Sequence, residues 1–301
     1  MSQKIWQVAF ILFLLSPIFA QKNGASLRLP YSIPAGKIRP LREMQDSSLQ
    51  AKFERHVLQN KKWARLIANK KMTVGLVDLR EPYRARFAHL NGDVMMYAAS
   101  LPKIAILLAS CQAITDGSLQ LTPEVERDLK IMISRSSNMA ATRMIDRIGF
   151  AKIEEVVTAP HYGFYDPHLG GGLWVGKRYA KRGKRHPDPL KGLSHAATVY
   201  QTCRFYYLLA TNRLVSEKES RHMLDILADP EINHKFVYTL SKIGPNAKLY
   251  RKSGGWRNWH ADSVLVWGLE RRYILVALVN DRDGEKILRE FVTAAEEALD
   301  G

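Results

Sequence analysis

Apolar residues recur at three- to four-residue steps between residues 46 and 69, first at Leu49, Phe53 and Val57 and then at Trp63, Leu66 and Ile67, which predicts a helix. Met72 to Leu79 changes to a β-rich run and predicts a strand, with Arg84 to His89 as its partner across Arg80 to Tyr83. Leu101 to Ile114 is apolar almost all round, the pattern of a helix buried on every side, and Asp116-Gly117 ends it. Thr122-Pro123-Glu124 combines an N-cap with proline at the first helical position, opening a helix through Val125, Leu129 and Ile133. Met139 to Ile148 predicts another helix, stopped by Gly149. From about Pro160 to Gly192, seven glycines and four prolines interrupt every period and predict a long loop. Helical spacing returns over Leu193 to Leu209 and Ser216 to Leu227. Ser263 to Trp267 and Tyr273 to Val279, joined around Leu269-Glu270-Arg271-Arg272, read as a hairpin. A last helix follows Asp283-Gly284 and gathers Ile287, Phe291, Val292, Ala295 and Leu299 on one face. Strands near both ends with helices between them predict an α/β chain of the α+β type. Its antiparallel sheet is built from N- and C-terminal strands, and a helical subdomain is inserted at about 94–234.

The N-terminal segment bears on where such a chain works. Lys4 precedes an apolar stretch that ends in Ser16-Pro17 and the small-residue exit at Ala20, which reads as a secretory signal over residues 1–20. The alternative, an uncleaved anchor, is disfavoured because the stretch is shorter than the roughly 20 residues of a spanning helix. A secreted or periplasmic location follows. Residues 21–45 mix Gly24, Pro30, Pro34, Gly36 and Pro40 with basic residues and read as an extended leader outside the core. The catalytic domain is then expected at 46–301. Lys and Arg number 45 against 29 Asp and Glu, a net charge of +16, and loss of the signal removes Lys4 alone. This balance favours anionic partners, and secretion argues against nucleic acid. Two cysteines, Cys111 and Cys203, are too few for a disulfide framework, and no Cys/His spacing typical of zinc is present. Whether the two pair is left open, and no cofactor is expected.

Three short segments carry the chemistry. Ser100-Leu101-Pro102-Lys103 stands where the chain enters its most apolar helix, so Ser100 lies near free backbone N–H groups and Lys103 falls one turn later on the same face. Ser136-Ser137-Asn138 occupies a break between two helical patterns, and Lys252-Ser253-Gly254-Gly255 comes shortly before the hairpin. Taken singly, the first could be a helix cap with a solvated lysine, the second an N-cap cluster and the third a surface turn. In this order, they resemble the S-x-x-K, S-D-N and K-T-G set of class A β-lactamases and penicillin-binding proteins. The resemblance covers roughly Asp46 to Gly301.

The resemblance implies a serine hydrolase that cleaves a β-lactam or related amide through an acyl-enzyme on Ser100. It makes Lys103 the neighbouring amine, Ser136 a proton relay, Asn138 a holder of Lys103 and substrate, and Lys252 with Ser253 the site for a substrate carboxylate. Gly254 and Gly255 let substrate approach the strand, and the N–H groups of Ser100 and Gly255 form the oxyanion hole. The partner implied is a small-molecule or peptide amide bearing a carboxylate.

The sequence departs from the pattern in three places. Ser137 replaces the usual Asp of the second motif, the segment from Ser100 to Ser136 is short, and no Glu lies between Pro160 and Gly192 to activate a deacylating water. Gly172-Leu173-Trp174-Val175-Gly176 is aligned where that Glu is expected, and Asp166, His168 and Lys103 stand as unresolved substitutes. A D,D-peptidase or esterase-like cell-wall enzyme with slow β-lactam turnover is therefore the alternative. A non-catalytic relative binding anionic surfaces is the alternative of a different class. Lys177, Arg178, Lys181, Arg182, Lys184, Arg185 and Lys191 crowd residues 177–191 around a single acid, Asp188. They read either as a solvated loop or as a clamp for an anionic cell-wall polymer or membrane surface. Trp256, Trp259 and His260 stand beyond the third motif, lining the cleft or packing on the sheet.

Overall fold

The computed structural model describes residues 28–81 and 83–300; the signal expected at 1–20 lies outside them. Helices α1 (Ser47–Leu58) and α2 (Lys61–Ala68) precede strands β1 (Met72–Asp78), β2 (Arg86–Leu90) and β3 (Met96–Tyr97). The helical middle holds α3 (Lys103–Thr115), α4 (Pro123–Ser134) and α5 (Asn138–Thr158). Short strands β4 (Tyr165–Asp166), β5 (Gly171–Gly172), β6 (Trp174–Val175) and β7 (His195–Ala197) punctuate the long loop region. Then come α6 (Val199–Ala210), α7 (Glu217–Leu227), α8 (Phe236–Ile243), β8 (Lys248–Trp256), β9 (Trp259–Trp267), β10 (Arg272–Asn280) and α9 (Gly284–Asp300).

The main sheet runs β2-β1-β10-β9-β8, every pair antiparallel, with β10 joining the early strand β1 to the late hairpin. Successive side chains of a strand point to opposite faces, and both faces here are covered. Leu275, Ala277 and Val279 of β10 meet Phe53, Trp63, Leu240 and Phe291 from α1, α2, α8 and α9. Ile274, Val276 and Leu278 face the larger core that contains α3 and α6. Double coverage explains why β10 is apolar without alternation from Tyr273 to Val279. The predicted sheet, from strands at both ends with helices between them, is the observed one.

Several local expectations are corrected. The helix predicted over 46–69 is two helices, because the Asn60 side chain accepts from the N–H groups of Lys62 (3.0 Å) and Trp63 (3.2 Å) and starts a new one. Gly149 does stop the helix that starts at Asn138: its φ 80° and ψ 157° are non-helical, a conformation glycine tolerates, and what the expectation lacked is the second helical stretch that follows the kink and runs to Thr158. Residues 28–45 are not outside the core: Tyr31, Ile33, Leu41 and Met44 are buried in it, and the Tyr31 N–H donates to the Ala210 carbonyl at 2.8 Å. Apolar residues spaced between prolines can dock without any helical or strand period. Cys111 and Cys203 are both buried free thiols. Among the described residues, no helix is long and apolar enough to cross a membrane.

Candidate active site

α3 begins with two residues of tight turn. The Lys103 N–H donates to the Ser100 carbonyl at 3.3 Å, and the Ala105 N–H to the Pro102 carbonyl at 2.9 Å. The N-cap position is Pro102, with no side-chain capping bond, so Ser100 is not the cap of this helix. Its hydroxyl stands at the head of α3, half-buried. Preceding it, Ala99 takes φ 51°, a left-handed conformation costly for a side-chain-bearing residue.

Lys103 is fully buried. Its ammonium donates to the Ser136 carbonyl at 2.6 Å and to Asn138 Oδ1 at 2.8 Å, and lies 4.4 Å from the centre of the Tyr179 ring. Burial pushes this amine down to about 7, so near neutrality a large share is unprotonated and able to take a proton. Ser136 again takes a left-handed φ, 56°, which turns its carbonyl to one lysine while its hydroxyl accepts from the Lys252 ammonium at 2.9 Å. Ser137 Oγ accepts from the Ala140 N–H at 3.2 Å and caps α5. The residue in the place of the usual Asp therefore performs the capping that either side chain can supply.

β8 forms the facing wall. Lys252 is buried and also donates to the Ser253 carbonyl at 2.7 Å; burial first, then the charges of Lys103 and Arg251, lower its proton affinity. At Gly254 a β-carbon would fall 2.0 Å from the Ala98 carbonyl oxygen and 2.9 Å from the Ser100 nitrogen, so only glycine lets β8 lie against the Ser100 turn. Gly255 beside it is exposed. The third motif, readable as a turn, is thus an edge strand paired with β9, Lys252 opposite Ser263 and Ser253 opposite Asp262.

The structure brings Ser100, Lys103, Ser136, Asn138, Lys252, Ser253 and Gly254 to one cleft. It also adds residues that the sequence reading missed. His234 Nε2 lies 3.2 Å from Ser253 Oγ. The buried Lys235 ammonium donates to the carbonyls of Gly254 and Ala261. Burial holds His234 near 4 and Lys235 near 8. Both are held in place by a buried ion pair, Arg251 to Asp262 at 2.7 and 2.8 Å, whose carboxylate also accepts from the Phe236 N–H at 3.1 Å.

The loop wall comes from 160–197. β6 and β3 both pair with β7, which places Trp174 and Val175 on the small sheet leading to Ser100. Leu173 is buried in the core and supplies no acid. Tyr179 is the residue of this wall that reaches Lys103; its hydroxyl donates to the Ala99 carbonyl at 3.3 Å and its ring packs on His195 at 4.2 Å. Burial holds His195 near 4, a neutral imidazole. Asp166 instead accepts from the His168 N–H at 2.8 Å and starts a short 3-10 turn. The loop is ordered around the buried Asp188, which accepts from the N–H groups of Leu190, Lys191 and Leu193 and from the Tyr165 hydroxyl. Lys181, Arg182 and Lys184 remain exposed. Trp256 is exposed, whereas Trp259 packs edge-on to Tyr97 at 6.0 Å. None of these cleft residues groups into a set of metal ligands among the described residues.

A serine at a helix head, one turn before a buried lysine and against a Lys-Ser-Gly strand, is the arrangement of the penicillin-reactive serine enzymes. The sequence model of the beta-lactamase enzyme family matches residues 124–299, and the chain belongs to that family. Among solved structures, PBP-A is similar at TM-score 0.63 and 18% identity, over 91% of this chain and 99% of that one. The beta-lactamase from Sphaerobacter thermophilus DSM 20745 is similar at TM-score 0.61 and 18% identity, over 83% and 95%. A class A beta-lactamase from Bacteroides cellulosilyticus DSM 14838 gives 0.62 and 16%, over 84% and 99%. These likenesses establish the fold. No curated protein matches the chain by sequence.

Proposed function

We propose that this chain is a secreted or periplasmic serine acyl-transfer enzyme that opens a β-lactam or related peptide amide through an acyl-enzyme on Ser100, and that the acyl-enzyme is released slowly. The observation that carries the reading is Lys103: a fully buried amine one turn beyond Ser100, held by the Ser136 carbonyl and Asn138, with Lys252 bonded to the Ser136 hydroxyl.

Lys103 in its neutral form takes the Ser100 proton as the oxygen attacks the carbonyl carbon. The tetrahedral oxyanion is met by the N–H groups of Ser100 and Gly255. Ser136, hydrogen-bonded to Lys252, returns a proton to the leaving nitrogen, and collapse leaves an ester on Ser100. Asn138 orients Lys103 and the substrate amide. The cations of Lys252 and Lys235 with the Ser253 hydroxyl receive the substrate carboxylate. Slow release is supported by the loop, which carries no Glu between Pro160 and Gly192 and lays the Tyr179 ring 4.4 Å from the Lys103 ammonium. A mutant of PBP-A has been captured as an acyl-enzyme with penicillin-G, which makes that compound a suitable first probe.

The test is intact-mass measurement during incubation with penicillin G and with a chromogenic cephalosporin. A one-to-one adduct on Ser100 that outlasts many minutes is expected. An adduct that forms and vanishes within seconds would show an efficient β-lactamase, and no adduct with either compound would remove β-lactams from the substrate class.

A further inference from the structure

Five carboxylates are buried among the described residues: Asp78, Asp128, Asp188, Glu219 and Asp262. Burying a carboxylate is costly unless cations or several donors compensate it. Asp78 is held by Arg80 and Arg86, Asp128 by Arg143 and Arg147, and Asp262 by Arg251. Asp188 has its three N–H donors and a phenol. Glu219, on α7, differs: its carboxylate faces the Cys111 thiol of α3 and the His222 imidazole, Oε2 to Nδ1 at 3.3 Å, and no Lys or Arg. The other nitrogen of that imidazole, Nε2, lies 2.7 Å from Glu126 Oε2 on α4. One imidazole is thus shared by two carboxylates, and even when protonated it leaves the group net negative.

We propose that Cys111, Glu219 and His222 form a binding site for a divalent transition-metal cation of the zinc type, with Glu126 as the outer carboxylate that orients His222. Ligand atoms from the three residues lie within 4.8 Å of one another. Bonds of about 2.0–2.3 Å around a tetrahedral zinc place its ligands roughly 3.3–3.8 Å apart, so the widest edge closes by about 1 Å on binding. Thiolate, imidazole and carboxylate are the donors zinc takes, and a histidine whose free nitrogen meets a carboxylate is the usual outer arrangement. Access is available: His222 borders an open surface depression carrying Glu126, Glu217, Glu219 and Asp225 as well as Lys218 and Arg221. Four acids gathered on a chain of charge +16 draw a cation to this place.

On binding, two protons pass to buffer, that of the Cys111 S–H and the one held between His222 Nδ1 and Glu219 Oε2; the sulfur, Nδ1 and the carboxylate oxygen then each bond the metal, and Nε2 keeps its proton toward Glu126. A water from the depression completes four-coordination. The site would tie the far end of α3, the helix headed by Ser100, to α7. This proposal does not depend on the acyl-transfer reading.

The experiment is titration of the purified, untagged chain, stripped with EDTA, with Co2+ and then Zn2+. One equivalent of Co2+ should produce the near-ultraviolet thiolate-to-cobalt band, and Zn2+ should displace it. Cys111→Ser should abolish the band and weaken Zn2+ at least tenfold, and His222→Gln should weaken it similarly. Glu126→Gln should weaken it about 10- to 100-fold, while Cys203→Ser should change nothing. Absence of the band in the wild-type chain, which needs no variant to fold, would overturn the proposal. So would equal Zn2+ affinity in wild type and in Cys111→Ser whose melting in EDTA matches wild type.

Discussion

The two walls of the Ser100 cleft carry positive charge in different ways. On the β8 side, Lys252, Lys235 and Arg251 are buried and anchored to carbonyls or to Asp262. On the loop side, Lys181, Arg182 and Lys184 project into solvent, while the loop is ordered around the buried Asp188 and meets Lys103 through the Tyr179 ring. Buried cations change one another's proton affinity, as Lys103 and Arg251 do that of Lys252, and in the proposed reaction would act on the bond-making step. Exposed cations are screened over about 8 Å at physiological salt and act on encounter.

The sharpest division comes from the nucleophile. Ser100→Ala should leave the fold intact and abolish the penicillin adduct in intact-mass spectra; an adduct at wild-type yield would place the acylated residue elsewhere. Lys103→Ala should slow acylation by roughly 10²- to 10⁴-fold or more, the range of positioned proton transfer, in stopped-flow measurements. With the wild type, acylation should rise with pH and level off above about 7, because the neutral amine is the reactive form. A rate flat from pH 5 to 9 would take Lys103 out of the base role.

Lys252→Ala tests the buried wall by charge. Losing a charge-assisted hydrogen bond of about 1.5–3 kcal/mol should weaken carboxylate-bearing substrates roughly 10- to 150-fold, and their neutral esters far less. Equal losses would mean that Lys252 acts through Ser136 and Lys103 alone.

The loop side should respond more mildly and in the opposite direction. Tyr179→Leu readmits water to Lys103, so the acylation midpoint should move above 7 and the adduct should hydrolyse several-fold faster; Tyr179→Phe keeps the ring and should behave as wild type. Unchanged adduct lifetime in the leucine variant would show that the ring does not shield the ester. Smallest of all, replacing Lys181, Arg182, Lys184 and Arg185 by Gln should leave acylation by a small neutral ester within a few-fold. Binding to anionic vesicles or cell-wall polymer should fall and lose its salt dependence. Loss of ester acylation would erase the distinction between the walls.

How legible each wall was in the sequence follows the same division. Ser100 and Lys103 are one helical turn apart at the head of a local apolar run, so spacing put them on one face, and the order of the three motifs singled them out. The segment Lys252 to Gly255 has little β propensity, and its strand character comes from pairing with β9, a tertiary effect. His234 and Lys235 carry no motif: a buried Arg251–Asp262 pair holds their backbone, and nothing periodic announces it. Tyr179 lies in a stretch without period and is positioned by the Ala99 carbonyl, 80 residues earlier in the chain. The same lack of period hid the docking of Tyr31 and Leu41.

The position of β10 has a consequence for the order of events during folding. Met72 lies opposite Val279, more than 200 positions later. The entropy of closing so long a loop grows only slowly with its length, but contacts distant in sequence form late. Helices α3 to α7 can gather from neighbouring segments, whereas the edge strand that touches Ser100 at Gly254 needs β9, and β9 needs β10. A chain emerging from its N-terminus therefore holds Ser100 and Lys103 for most of its synthesis without the wall that completes their cleft, and that wall is assembled only when the last hairpin arrives.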